Sequence, residues 1–203
     1  MMRTIKLLVL SSLLLLPFCL KAQSNWDEYD IGNIFSLSVP SSLSLRDPDS
    51  VEGKFSDNFK KKFALKYGVQ SPDWTYTFIP AEGMTSTKYA RVIVAVKRQN
   101  NLTQKMVKEA TAADLQDLKE SRIEESKQYG MSMKNVTVKK EIYDGNYAIV
   151  TRYDRSGLSG DIHVDDYMFF LLNKQIEITI SYRISESSIW KKDLSAIPST
   201  FSF

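Results

Sequence analysis

From Val136 to Tyr182 apolar and polar side chains alternate with turn residues set between the runs, and this pattern commits the C-terminal half to antiparallel strands. Val136, Val138 and Ile142 alternate with polar residues, Asp144-Gly145-Asn146 is a tight-turn signal, and Tyr147 to Tyr153 returns as a strand. Ser156-Gly157-Leu158-Ser159-Gly160 is a longer loop. Val164 to Leu172 is apolar on both faces, with Met168, Phe170 and Leu172 against Phe169 and Leu171. A turn is expected at Asn173-Lys174, after which Ile176, Ile178, Ile180 and Tyr182 face a core and Glu177, Thr179 and Ser181 face away from it. No helical period fits such a stretch, because a period of two places one alternate set on each side of a strand.

The first half is mixed. Ile34 to Val39 reads as a strand stopped by Pro40, followed by a Ser-rich connection to about Gly53. Phe55, Phe59, Phe63 and Tyr67 are spaced four apart with Lys60, Lys61, Lys62 and Lys66 between them, which suits an amphipathic helix, although Phe63 to Tyr67 also reads as a strand. Trp74 to Ile79 is a strand stopped by Pro80, and Ala81 to Thr87 is a loop. Tyr89 to Val96 is apolar on both faces and so reads as a central strand. Thr103 to Tyr129 has no Gly or Pro and predicts one long helix stopped at Gly130, with an exposed second half from Lys119 to Gln128. Ser187 to Ala196 predicts a short helix carrying Trp190 and Leu194 and capped by Ser185 or Ser187, and Phe201-Ser202-Phe203 an extended end. The expected architecture is α+β: one domain over residues 23–203, a mainly antiparallel sheet of about six or seven strands with one long and one or two short helices packed on it.

Residues 1–22 are laid out as a secretory signal peptide. Arg3 and Lys6 give a cationic start, Leu7 to Leu20 is apolar, and Ala22 stands at a cleavage position. The run is shorter than the roughly 20 residues that span a bilayer, and no later stretch approaches that length. Bacterial lipid attachment at Cys19 is disfavoured by the bulky Phe18 before it. Arg3, Lys6 and Lys21 carry the whole formal excess of +3, and Cys19 is the sole cysteine. Processing therefore leaves a charge-balanced, thiol-free chain that is secreted or periplasmic. Such a chain is not a nucleic-acid binder, a disulfide scaffold or a thiol enzyme, and it has to be stabilised by burial of its core.

Phe35 to Pro40, the strand and helix from Arg91 to Tyr129, Asp144-Gly145 leading to Tyr147-Ala148, and Trp190 to Phe203 together carry a likeness. An opening strand ending in Pro, a central helix, a Gly-x-x-Ala hairpin, further strands, a short helix and a Ser-Phe ending resemble the PsbP-like fold. That fold is shared by the extrinsic photosystem II subunit, a Ran-binding nuclear import factor and bacterial secreted proteins of unknown role. The resemblance rests on order and spacing. It implies partner binding and brings no shared catalytic residues; Ser41 to Pro72 departs from it, and Ser41-Ser42-Leu43 lacks the aromatic expected after Pro40.

The one imidazole lies among carboxylates, in Asp161-Ile162-His163-Val164-Asp165-Asp166. On a strand Asp161, His163 and Asp165 share a face, so they are the candidate metal ligands, against the plainer reading of a polar strand start with His163 fixed by a neighbouring acid. Gly157-Leu158-Ser159-Gly160 is not a nucleophile elbow, because Gly160 follows Ser159 directly. There is no phosphate loop, dinucleotide fingerprint or HExxH motif, and no cofactor is expected. Lys60, Lys61, Lys62 and Lys66 with their interleaved aromatics are the candidate contact surface; Lys139-Lys140 and Lys191-Lys192 read as ordinary surface pairs. Trp26 and Tyr29 are expected in a loose N-terminal segment. The resulting expectation is an exported, non-enzymatic binding or accessory protein of the bacterial envelope, monomeric, with an unknown protein or envelope component as partner. The alternative is a small hydrolase or metal-dependent enzyme using Asp161, His163 and Asp165.

Overall fold

The computed structural model describes residues 25–46, 74–85, 88–98 and 102–203. The expected signal with Cys19 and the expected helix with Lys60, Lys61, Lys62 and Lys66 lie outside the described residues. Among the described residues no helix is long and apolar enough to cross a membrane.

The segment expected to be loose is a strand. β1 (Trp26–Ile31) pairs antiparallel with β2 (Phe35–Pro40), turning through Gly32 and Asn33 at φ 59° and 55°. Its acidic side chains hid it, since only Ile31 is buried; Trp26 and Tyr29 pack against the core from its margin. Leu43–Leu45, within the expected Ser-rich connection, forms β3. It is followed by β4 (Trp74–Pro80) and β5 (Ala90–Arg98). The alternating C-terminal half gives β6 (Met133–Tyr143), β7 (Asn146–Arg155), β8 (Ile162–Leu171) and β9 (Lys174–Arg183). The seven-stranded sheet runs β3-β4-β5-β9-β8-β7-β6, antiparallel throughout.

The expected single long helix is two. α1 (Gln104–Glu109) and α2 (Ala112–Gln128) are separated where Ala110 turns extended at ψ 128°. Thr111 then begins a new helix with a capping box: the Asp114 amide donates to Thr111 Oγ1 at 3.2 Å, and the Thr111 amide donates to Asp114 Oδ2 at 2.8 Å. α1 packs Val107 against Met168 and Phe170. Gln104 acts as an extra strand residue, donating to the Tyr147 carbonyl at 2.9 Å and accepting from its amide at 2.8 Å. α2 buries only Ser126, in keeping with its polar sequence.

The opposite face of the sheet holds the main core. Val92, Val94 and Val96 of β5 sit beside Ile180, Ile178 and Ile176 of β9, which in turn sit beside Tyr167 and Phe169 of β8. The β1–β2 hairpin closes over them with Leu37 and Val39, and α3 (Ser187–Leu194) adds Trp190 and Leu194. Each such side chain contributes about 1.5–3 kcal/mol on full burial. Neither Ser185 nor Ser187 caps α3. The N-cap is Glu186, whose carboxylate is turned inward instead: it accepts from the Tyr89 amide at 2.7 Å, from Trp190 Nε1 at 3.0 Å and from Arg183 Nη1. The extended end is tied in where Ser202 bridges to Ser36.

The β8–β9 turn is built on Leu172 and Asn173, one residue earlier than expected, at φ 47° and 60°. This is the primed hairpin turn, which suits Asn or Gly at its first central position and strains a leucine. Leu172 is 81% exposed and so contributes little packing in return. Leu172→Asn is expected to stabilise the protein by about 0.5–1 kcal/mol, read as a higher urea midpoint with unchanged slope.

Candidate functional site

Past the apolar rows, on the same sheet face, the residues become charged. The register sets Arg152 of β7 opposite Asp165 of β8 and Asp154 opposite His163, while Glu141 on β6 faces the same way. Arg152 holds Glu141 with both terminal nitrogens, Nη1–Oε1 at 2.5 Å and Nη2–Oε2 at 3.1 Å, the fork geometry that makes such pairs strong. Its Nε lies 3.3 Å from Asp165 Oδ1, and His163 Nε2 approaches the same oxygen at 3.3 Å. Neither contact is a well-formed hydrogen bond, so Asp165 Oδ1 is held by charge alone. His163 Nδ1 meets Asp154 Oδ1 at 2.7 Å, and Asn135 Nδ2 donates to Asp154 Oδ2 at 2.7 Å. Tyr143 closes the other end, its hydroxyl donating to Glu141 Oε2 at 2.6 Å. The result is a continuous chain: Tyr143, Glu141, Arg152, Asp165, His163, Asp154, Asn135.

Both ring nitrogens of His163 thus face carboxylates. Asp165, and then Asp154, push its pKa above the ordinary 6.5 despite the opposing effect of burial. For Asp154 burial acts upward, but the hydrogen bonds from His163 and Asn135 outweigh it and hold the carboxyl below its usual value. The Arg152 hydrogen bonds lower Glu141 likewise.

Of the three candidate ligands, the structure brings His163 and Asp165 together and leaves Asp161 out. Asp161 precedes β8, is exposed, and points to Lys134 Nζ at 3.4 Å. Among the described residues no group of three or more His, Cys, Asp or Glu gathers in a metal-holding arrangement. Asp154, Arg152 and Glu141 were not singled out from the sequence. The available signal was the loop from Ser156 to Gly160: a hairpin folded about the Leu158-Ser159 bond sets Asp154 opposite His163.

Beside this chain is a cleft of about 430 Å³, lined by Tyr143, Arg152, Tyr167, Pro198, Ser199 and Phe201 among others. Its aromatic wall is tightly packed, with Tyr143 and Tyr167 centroids 5.6 Å apart and Tyr167 and Phe201 5.8 Å apart. On the reverse face Asp166 is buried, accepts from Thr179 Oγ1 at 3.1 Å and has Arg122 of α2 at 3.8 Å. Burial first, and Glu177 second, push Asp166 up to about 7.

These shifts fix a pH dependence. His163 has a raised folded-state pKa, so its stabilisation is complete below about 6.5 and is lost as pH rises through the folded value. Asp166 has a folded value near 7 against an ordinary 3.8, so the fold favours its protonated form and stability declines as pH climbs between them. Both act in one direction. Thermal unfolding is expected several degrees higher at pH 5 than at pH 8, and Asp166→Asn is expected to shrink the difference; a flat or reversed profile would overturn this.

No family model matches the sequence, and no curated protein matches it. Solved structures are. The cyanobacterial PsbP protein (CyanoP) of Synechocystis superposes with a TM-score of 0.56 at 10% identity, covering 88% of this chain and 92% of that one. The chain has the PsbP-like fold. Weaker likenesses are a Bacteroides thetaiotaomicron protein (TM-score 0.49, 10% identity, 88% of this chain and 48% of that one) and a variant of the protein Mog1 (TM-score 0.45, 11% identity, 88% and 95%). At such identities the PsbP-like fold is shared as architecture.

Proposed function

We propose that this protein is an exported, non-enzymatic binding or accessory module of the bacterial envelope, and that its working surface is the charged flank of the sheet with the adjoining cleft. The observation that supports this reading is the state of His163. With Asp154 2.7 Å from Nδ1 and Asp165 3.3 Å from Nε2, both ring nitrogens are turned to carboxylates of the protein and neither is presented to a substrate as a general base. Among the described residues no serine, threonine or cysteine joins its hydrogen bonds. Arg152 is likewise engaged by Glu141 and Asp165. A hydrolytic or metal-dependent role at Asp161, His163 and Asp165 would require Asp161 to leave Lys134 and join His163 and Asp165. Partner binding is what the PsbP-like resemblance implies. Export is supported by the layout of residues 1–22.

The test has two readouts. In the native host the chain is expected outside the cytoplasm with a new N-terminus near Gln23, and retention of an unprocessed cytoplasmic chain would overturn export. Against a panel of esterase, peptidase, phosphatase and glycosidase substrates, with and without divalent metals, the protein is expected to show no turnover that His163→Gln abolishes. Turnover lost in that variant would overturn the non-enzymatic reading.

A further inference from the structure

We propose that the outer edge of β6 takes up an extended, acidic segment of a partner protein as an eighth strand, with an aromatic or large apolar side chain of that segment entering the cleft. This rests on the reading of the protein as a binding module and supplies the surface and the chemistry of the partner.

β6 is the last strand of the sheet and pairs with β7 alone. The turn after it has Asp144 at φ 45° and Gly145 at φ 76°, a two-residue primed turn that closes on a hydrogen-bonded pair, Tyr143 and Asn146. Antiparallel pairs alternate, so Glu141 and Lys139 also exchange bonds with β7, while Ile142, Lys140 and Val138 direct their amides and carbonyls outward. Among the described residues, no main-chain hydrogen bond joins this edge to another segment. The opposite edge, β3, is only three residues long, the usual way of blunting an edge. On β6 the irregularity between Lys134 and Thr137 blunts only the first part, leaving Val138 to Tyr143 regular.

Charge selects the occupant. Glu141 is matched by Arg152. Lys139 is exposed, and Lys140 Nζ donates to main-chain oxygens, those of Lys108 and Ala110, so its charge faces no carboxylate there. The regular stretch is therefore cationic and favours an acidic strand. A second copy fits less well: antiparallel pairing centred on Lys139 or Glu141 would set like charges directly opposite each other, and centring on Lys140 opposes the two Lys140 residues while offering Lys139 only a Glu141 that Arg152 already engages. Ile142 and Tyr143 also line the cleft, so a strand running along this edge carries one of its side chains past the opening. Main-chain pairing supplies affinity in such strand addition, and the pocket supplies selectivity.

The test is selection of a displayed library of random extended peptides on the protein, followed by affinity measurement on Ile142→Pro and Lys139→Glu. Proline at position 142 removes an outward amide and leaves the β7 ladder intact. Enriched peptides are expected to combine acidic residues with an aromatic one and to lose about tenfold or more in affinity for each variant, with both variants melting like the parent. No enrichment, or enriched peptides that bind Ile142→Pro as tightly as the parent, would overturn the proposal. Neither result touches the binding-module reading, which falls only to turnover that depends on His163.

Discussion

Removing the Glu186 carboxylate, as in Glu186→Ala, is expected to lower folding stability by about 3–5 kcal/mol, the cost of breaking a buried ion pair. Glu186 and Arg183 are each 7% exposed, and the carboxylate also receives the Tyr89 amide and Trp190 Nε1. It therefore fixes three things at once: the end of β9, the main chain entering β5 and the first turn of α3. Without it the Arg183 guanidinium loses its carboxylate, and the Trp190 indole N–H and the Tyr89 amide lose this acceptor in a dry site. Urea unfolding followed by Trp fluorescence reads the loss. The double replacement Arg183→Met with Glu186→Leu is expected to recover much of it, because apolar groups of similar volume leave no stranded charge. A Glu186→Ala protein within about 1 kcal/mol of the parent would show that the pair is not what holds α3 down.

Phe169→Ala is expected to cost a comparable amount, about 3–5 kcal/mol, by opening a cavity at the centre of the aromatic core. Phe169 is fully buried, and its ring lies 4.7 Å from Phe203, 5.9 Å from Phe201 and 6.0 Å from Tyr143. Two of those neighbours, Tyr143 and Phe201, also line the cleft. The loss should thus be accompanied by weaker peptide binding even below the unfolding transition. Phe169→Leu, which keeps most of the apolar volume, is expected to lose much less. Equal losses for the two would argue that shape at this position is unimportant.

Legibility in the sequence followed the physics of each element. β7, β8 and β9 were readable because each has one or two buried faces, and alternation records burial directly; β6 alternates too, although only Val136 of it is buried. β1 was not, since its exposed acids show no buried face apart from Ile31. The break at Ala110 could have been read from Thr111 and Asp114, three apart as a capping box demands, but the Gly-free run outweighed it. At the candidate site the two neighbours in sequence, His163 and Asp165, were visible. Asp154, Arg152 and Glu141 reach them only across the sheet, and such partners become visible once register is known. The same reasoning separated Asp161 from its expected companions, because a residue just outside a strand need not keep the strand's side-chain direction.

The order β3-β4-β5-β9-β8-β7-β6 also sets how the chain reaches its native state. The four strands β6 to β9 are joined by short connections and pair strictly in sequence order, so they assemble at little entropic cost. Joining β5 to β9, by contrast, closes the entire chain from Arg98 round to Lys174, and its loop-closure entropy is compensated only when the valines of β5 meet the isoleucines of β9. The C-terminal meander is thereby the template on which the N-terminal strands are laid. Until β5 docks, the meander has two open edges, and of these only β6 stays open in the finished protein.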